Sequence, residues 1–297
     1  MPSFTGNKTM RRIYDFNSDW HFIKKNEVFD HIPEGSEAIS LPHTWNNIDG
    51  QDGGNDYYRG VCAYVKSFPK PQNKARYFLE FGAVNHTAKV YLNKEEICTH
   101  EGGYSCFRVE LKDLKKDNIL CVLADNSISD HVYPQKADFT FYGGIYRAVK
   151  LICVPEKHFE LIKDGTPGIK VTPRVIGENA EGLIETWQNG DGKVKFPLNG
   201  ESREADSFNG HAEILFRIEN VRLWDGINDP YLYEVEAEYG GDKISSRFGC
   251  RSMEYDPEKG FLLNGRPYPL RGVSRHQDRW QMGNAITMKE HREDMRL

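Results

Sequence analysis

Gly260-Phe261-Leu262-Leu263-Asn264-Gly265-Arg266-Pro267-Tyr268-Pro269-Leu270-Arg271-Gly272-Val273-Ser274-Arg275-His276-Gln277-Asp278 is the stretch on which the reading of this chain turns. Phe261 to Leu263 is a short apolar strand. Asn264-Gly265 accepts positive φ at both central positions of a two-residue turn, so a tight hairpin is expected there. Tyr268 to Leu270 is expected to return antiparallel. Pro267 and Pro269 lack N–H donors and restrict that return to an edge. Arg271-Gly272-Val273-Ser274 then leads into a polar cluster, Arg275-His276-Gln277-Asp278. A strand ending in charged and hydrogen-bonding side chains is how a barrel enzyme presents groups to a ligand. Asp278 to Thr287 reads as a loop. Thr287 opens a helical run with Glu290 three residues on, the spacing of a capping box.

A strand, a loop and a helix make one βα unit. A (β/α)₈ barrel needs eight, spread over roughly 250 residues, and the chain reaches Leu297 within the first of them. The expectation is the front end of a larger protein, with residues 256–297 the start of a truncated TIM-barrel catalytic domain.

The 297 residues suggest about two domains. The net charge is −5 and the charged residues are interspersed, so no basic block invites nucleic acid or an anionic membrane surface. No apolar run approaches the roughly 18 residues of a membrane-spanning helix. The expected partners therefore exclude nucleic acid and membrane. Six cysteines occur without a C-x-x-C pair, several inside apolar runs where a free thiol behaves as a small hydrophobe. Neither a disulfide framework nor a zinc site is expected. Residues 1–17 hold no signal-type apolar core. The expected location is cytoplasmic, or periplasmic or secreted if a leader was trimmed.

Upstream, the chain reads as strand after strand. Arg12 to Ile23 carries Trp20 and Phe22. A Gly-rich polar stretch from Asn46 to Asn55 reads as a long loop. Strands are expected at Val61 to Phe68 and Arg76 to Phe81. Ala88, Val90 and Leu92 alternate with Lys89 and Tyr91, the period of a half-buried strand. Ile119 to Leu123 is continuous and apolar, as for a strand buried on both faces, and Ile145 to Val154 is another strand. Close spacing with Gly, Asn and Asp turns points to an antiparallel sandwich, with a jelly-roll topology, over 1–156. A second all-β block covers 157–255. Strands are expected around Ile169 and Val171, from Leu183 to Trp187, and where Ala212, Ile214, Phe216 and Ile218 alternate with polar residues. Tyr231, Tyr233, Val235, Ala237 and Tyr239 share one face opposite Glu234, Glu236 and Glu238, so one side of that sheet is solvated. Asp191-Gly192, Asn199-Gly200 and Gly240-Gly241 supply hairpin turns. That strand count fits an immunoglobulin-like sandwich. The expected fold class is all-β: a jelly-roll sandwich, an immunoglobulin-like β-sandwich, then the first βα unit of a truncated TIM barrel.

This order of domains resembles glycoside hydrolase family 2, the family of β-galactosidases, β-glucuronidases and β-mannosidases. Leu41-Pro42-His43-Thr44-Trp45 is similar to the family's early LPHTW. Asp56-Tyr57-Tyr58-Arg59-Gly60 is similar to its YYRG segment. Asp138 to Arg147 (DFTFYGGIYR) resembles the end of its sugar-binding domain. Leu270 to Asp278 resembles its LRGVNRHED, with Ser274 where Asn is common and Gln277 where Glu is common. Leu223-Trp224 and Asp229-Pro230-Tyr231-Leu232-Tyr233 resemble the end of its Ig-like domain. The Arg-His-Gln-Asp form tilts the expected activity towards β-galactosidase over β-glucuronidase.

The resemblance implies retaining hydrolysis of terminal β-D-galactosyl residues from β-galactosides, with β-glucuronides or β-mannosides as the alternative. Two carboxyl groups about 5–5.5 Å apart do that chemistry. The resemblance places both glutamates on barrel strands beyond Leu297, so no catalytic residue is assigned in this chain and the chain alone is expected to be inactive. It assigns sugar contacts to His276, Asp138, Asn55 and Asp56. The competing reading of Asp138 is a turn or cap aspartate. Arg271 and Arg275 are expected to pair with acidic groups. Trp45, Trp187 and Trp224 read as core rather than sugar platforms, and Tyr142 fits either role. No cofactor is identified in this chain, although the family implies a monovalent cation or magnesium in a full-length enzyme. The expected partner is a carbohydrate substrate, with homo-oligomerisation of the parent. A free-standing carbohydrate-binding protein and an adhesion piece built on an Ig fold are the competing readings. The βα unit after Gly260, which neither needs, argues against both.

Overall fold

The computed structural model describes residues 10–50, 56–71, 76–133, 137, 139–162, 165–198 and 201–297. The chain forms two compact units. The first comprises Arg12–Cys153 and Arg275–Leu297, and the second Val154–Ser274 together with the segment ending at Arg11.

Among the described residues the first unit holds ten strands. They are β1 (Arg12–Asp15), β2 (Trp20–Ile23), β3 (Glu37–Ile39), β4 (Val61–Pro69), β5 (Arg76–Phe81), β6 (Thr87–Leu92), β7 (Glu95–Glu101), β8 (Phe107–Leu111), β9 (Asp117–Asp125) and β10 (Val149–Val154). A six-stranded sheet runs β3-β2-β4-β9-β6-β7 and a four-stranded sheet β1-β10-β5-β8. From β4 onward the chain crosses repeatedly between the two sheets, as in a jelly roll. Their facing sides share one core, with Trp20, Tyr64, Val90 and Val122 from one sheet meeting Leu79, Phe81, Val109 and Leu151 from the other. The outer face of β4 and β9 is also dry. Ala63, Val65, Cys121 and Leu123 pack under Phe29, with Val28 and Ile32, which is why Ile119 to Leu123 is apolar throughout. Tight turns supply the ends. Leu92 pairs with Glu95 across Asn93 and Lys94, both at positive φ.

Arg12 to Ile23 holds two strands in two different sheets, with Asp15 accepting from the Asn17 backbone and side chain where the chain turns between them. One sequence expectation here needs correction. The strand expected from Ile145 begins only at Val149. Residues 141–146 are drawn off the sheet by other partners, described below.

The second unit holds β11 (Ile169–Ile176), β12 (Asn179–Trp187), β13 (Lys193–Leu198), β14 (Glu201–Asp206), β15 (His211–Ile218), β16 (Tyr233–Tyr239) and β17 (Asp242–Phe248). Sheets β11-β12-β15 and β14-β13-β16-β17 enclose a core of Ile184, Phe216, Val194, Phe196, Val235 and Phe248. Three strands facing four, all antiparallel, form the immunoglobulin-like sandwich. Tyr239 and Asp242 pair across Gly240-Gly241, whose φ values of +58° and +90° only glycine adopts without strain. The Asn199-Gly200 turn lies outside the described residues. All six cysteines are free thiols.

A three-stranded meander follows: β18 (Met253–Asp256), β19 (Gly260–Leu263) and β20 (Arg266–Pro267). Asn264 and Gly265 sit at φ +52° and +73° between paired Leu263 and Arg266, the expected two-residue hairpin. The returning strand is Arg266–Pro267 rather than Tyr268 to Leu270. One further bond, Tyr268 N–H to the Phe261 carbonyl, ends it, since the flanking prolines offer no donor. Residues 268–278 carry no ladder among the described residues. The chain then enters α1 (Met288–Asp294), capped by Thr287 with the Glu290 carboxylate bonded back to the Thr287 N–H at 2.7 Å, the full capping box. The helix ends at Asp294, short of Leu297.

Candidate functional site

Three of the recurring segments in the first unit are one hydrogen-bonded assembly. The His43 N–H donates to the Ile145 carbonyl (2.9 Å) and Thr44 Oγ1 to the Gly143 carbonyl (2.7 Å). Trp45 Nε1 donates to the Tyr58 carbonyl (3.2 Å), tying in the Tyr57-Tyr58-Arg59-Gly60 segment. Buried Asn46 accepts from the Gly143 N–H (2.8 Å) and donates to the Tyr58 carbonyl (2.9 Å). Buried Asn126 accepts from the Gly60 N–H (2.8 Å) and donates to the Phe141 carbonyl (2.8 Å). Tyr57 Oη accepts from the Phe141 N–H (3.1 Å). Residues 141–145 thus satisfy their backbone against loops instead of a strand, which accounts for the late start of β10.

The packing is as tight as the bonding. A Cβ on Gly143 would lie 2.0 Å from Trp45 Cζ2, so only glycine lets the backbone pass over that ring. Gly143→Ala is expected to lower stability by about 2 kcal/mol through overpacking. A denaturation midpoint equal to wild type would show that the Trp45 ring yields freely.

What this assembly holds in place is one wall of a cavity of about 320 Å³. Phe139, Thr140 and Tyr142 come from that wall. Asn85, on the β5–β6 connection, and Tyr104, on the β7–β8 connection, add to it. Asn85 is buried; its Nδ2 donates to the Tyr142 carbonyl (2.6 Å) and its Oδ1 has no partner among the described residues. Gly103 is glycine because a Cβ there would meet Asn85 Oδ1 at 2.0 Å. The opposite wall is Arg275, His276, Gln277 and Asp278, with Asn284 from the approach to α1. Tyr142 joins the walls by donating to Asp278 Oδ2 at 2.9 Å.

The electrostatics are those of a polar pocket whose guanidinium is already paired. Arg275, the one guanidinium among the described lining residues, is committed to Asp294, to which Nε donates at 3.0 Å. The Arg275 and Arg279 guanidiniums hold the Asp294 carboxyl below the usual carboxylate range. Tyr104 and Phe139 are partly exposed aromatic faces, and burial raises the Tyr104 phenol. Among the described residues no group of three or more His, Cys, Asp or Glu side chains is arranged to hold a metal ion. Carboxylate and amide acceptors opposite aromatic faces are suited to a sugar, which offers hydroxyls at its edge and C–H groups on its faces.

Of the four sugar contacts expected from the sequence, His276 lines the cavity and is exposed on its wall. Asp56 is exposed and is not among the lining residues. Asn55 and Asp138 lie outside the described residues. Arg275 has its acidic partner, while Arg271 is exposed. Trp45 is buried core, whereas Trp187 and Trp224 are half-buried, the latter beneath the Arg251 guanidinium at 4.9 Å. Sequence reading missed Asn46, Asn85, Asn126 and Asn284. Only the nearness of Asn46 to the LPHTW motif could have signalled any of them.

Comparison with known proteins agrees with this architecture. Residues 29–155 match the sugar binding domain of glycosyl hydrolases family 2, and residues 177–251 match a second domain of glycosyl hydrolases family 2. A β-glucuronidase of Bacteroides fragilis is 34% identical over 95% of this chain and 44% of its own length. A β-galactosidase of Thermoanaerobacterium thermosulfurigenes is 30% identical over 97% of this chain and 44% of its own. The crystal structure of an FMN-binding β-glucuronidase from Facaelibacterium prausnitzii L2-6 superposes with a TM-score of 0.87 at 35% identity, covering 97% of this chain and 47% of that one. The chain therefore spans less than half the length of these relatives. With both family domains present in order, and with this identity along nearly all of its residues, the chain belongs to glycosyl hydrolases family 2.

Proposed function

We propose that the protein carrying this chain is a retaining β-glycosidase that removes terminal β-D-galactosyl residues, and that this chain supplies part of the wall that holds the sugar. The observation that carries the reading is the pairing of His276 and Asp278 with the Tyr104 and Phe139 faces around one cavity. His276 and the Asp278 carboxylate take sugar hydroxyls, and the rings take the C–H faces. The two carboxyl groups that perform the displacement, about 5–5.5 Å apart in retaining enzymes, are those the family resemblance assigns to later barrel strands, so no turnover is expected of the 297 residues alone. The preference for a neutral sugar follows from Arg275, whose charge is already met by Asp294.

A second reading, hydrolysis of β-D-glucuronides, is favoured by the names of the relatives at 34% and 35% identity. Nitrophenyl galactoside, glucuronide and mannoside given to the full-length protein and to this chain separate the readings. Galactoside turnover by the full-length protein alone is expected. Turnover of glucuronide only would replace the first reading with the second. Turnover of none by folded protein would overturn both, and turnover by the chain alone would overturn the placement of the catalytic pair.

A further inference from the structure

Residues 275–278 have no regular secondary structure and Arg279 makes an isolated bridge to Gly283, yet between the two arginines stand three cavity-lining side chains. Both arginines end on one carboxylate. Arg275 Nε donates to Asp294 Oδ2 (3.0 Å) and Arg279 Nε to Asp294 Oδ1 (3.1 Å). Each adds a second contact to the same oxygen through Nη2. Arg279 also donates to the Glu290 carbonyl (3.0 Å) and to Glu293 Oε2 (2.7 Å), and Arg275 Nη1 faces His291 Nδ1 at 3.2 Å. Asp294 closes α1, whose first turn is fixed by its capping box. Within the segment so anchored, Asp278 is held from the other side by Tyr142.

We infer that Asp294 is a positioning residue for the sugar site. It is not itself a lining residue and reaches the cavity only through Arg275. With both oxygens occupied, it closes a loop from Arg275 through α1 back to Arg279, and so sets the course of the backbone that presents His276, Gln277 and Asp278. Residues 275–278 make no ladder, and the Arg279–Gly283 bridge restrains only the far end of the segment; a displacement of about 1 Å in a binding group is costly to a bound-state geometry. Asp294 has a second effect. By meeting the charge of Arg275 it keeps that wall of the cavity without an uncommitted cation. The inference rests on the reading of the cavity as the sugar site.

The test is made with Asp294→Asn and Asp294→Glu in the full-length enzyme. Asp294→Asn keeps the size and removes the charge. It is expected to raise KM about 10-fold for the glycoside that wild type turns over, with kcat changed less than about 3-fold. Asp294→Glu, which restores the carboxylate, is expected to recover most of that loss. In the 297-residue chain itself, amide hydrogen exchange over 275–279 is expected to speed about 10-fold in Asp294→Asn. Unchanged exchange overturns the clamp, and faster exchange with unchanged KM overturns the positioning role. If wild-type full-length protein turns over no glycoside, the functional reading falls, and exchange in this segment still decides the clamp.

Discussion

Asp242→Ala is expected to destabilise the second unit by about 3–5 kcal/mol, the cost of stranding one member of a buried ion pair. The Asp242 side chain is fully buried at the start of β17 and Arg11 is 14% exposed. The guanidinium grips the carboxylate with two bonds, Nε to Oδ1 at 2.9 Å and Nη2 to Oδ2 at 2.7 Å. Asp242 Oδ2 also accepts the Phe159 N–H at 2.9 Å, and Arg11 returns to the Phe159 carbonyl at 3.2 Å. Removing the carboxylate leaves the Phe159 N–H without its acceptor and the largely buried Arg11 guanidinium with only the Phe159 carbonyl. Replacing both ends by apolar residues, Arg11→Met with Asp242→Leu, is expected to recover most of the loss, because desolvation of the two charges disappears together. Denaturant unfolding followed by a probe in the second unit reads both. A loss below about 1 kcal/mol for Asp242→Ala would mean that water reaches the pair.

Acid is expected to weaken the first unit through one imidazole in the assembly behind the cavity. His43 lies against the Phe22 ring at 4.8 Å and its Nδ1 meets Tyr64 Oη at 2.8 Å. Burial lowers its pKa from 6.5 to about 4. The unfolded chain therefore binds the proton first as pH falls. Stability from this group is complete above pH 6.5 and is lost progressively on the way down to pH 4. The shift corresponds to about 3 kcal/mol at full extent. His43→Gln removes the titration and keeps a polar side chain. Stabilities of wild type and variant at pH 7.5 and pH 4.5 are to be compared as a double difference, which cancels carboxylates and the other buried histidines common to both. The wild type is expected to lose about 2–3 kcal/mol more than the variant. An equal loss in the two proteins would place the acid sensitivity elsewhere.

Local chemistry was legible where it obeys a short-range rule. Asn264-Gly265 and Gly240-Gly241 turn as their φ values demand, and Thr287 with Glu290 caps α1. Alternation placed the buried faces of β6, β15 and β16. Hairpins without glycine signals were hidden: Lys94 sits at φ +75° beside Asn93, and nothing in its side chain announces it. The strand bounds failed where long-range partners outbid the ladder. Residues 141–145 are claimed by Thr44, Asn46, Tyr57 and Asn126, from 15 to 99 positions away in sequence, and no local pattern encodes such pairs. For the same reason the LPHTW and YYRG motifs could be quoted from the sequence, but their shared task as the frame behind Tyr142 could not. His276 was legible because it stands in a motif of its own. Asn85 and Asn284 reach the same cavity from connections that read as ordinary loops.

The central claim is that the cavity bounded by Tyr104, Phe139, Tyr142 and residues 275–278 receives the terminal sugar of a β-glycoside. A crystal structure of the full-length protein with a bound, non-hydrolysable galactoside tests it most directly. The account predicts a sugar ring within hydrogen-bond distance of His276 and Asp278, with a C–H face against Tyr104 or Phe139. A sugar bound elsewhere, with this cavity filled only by water, would contradict it.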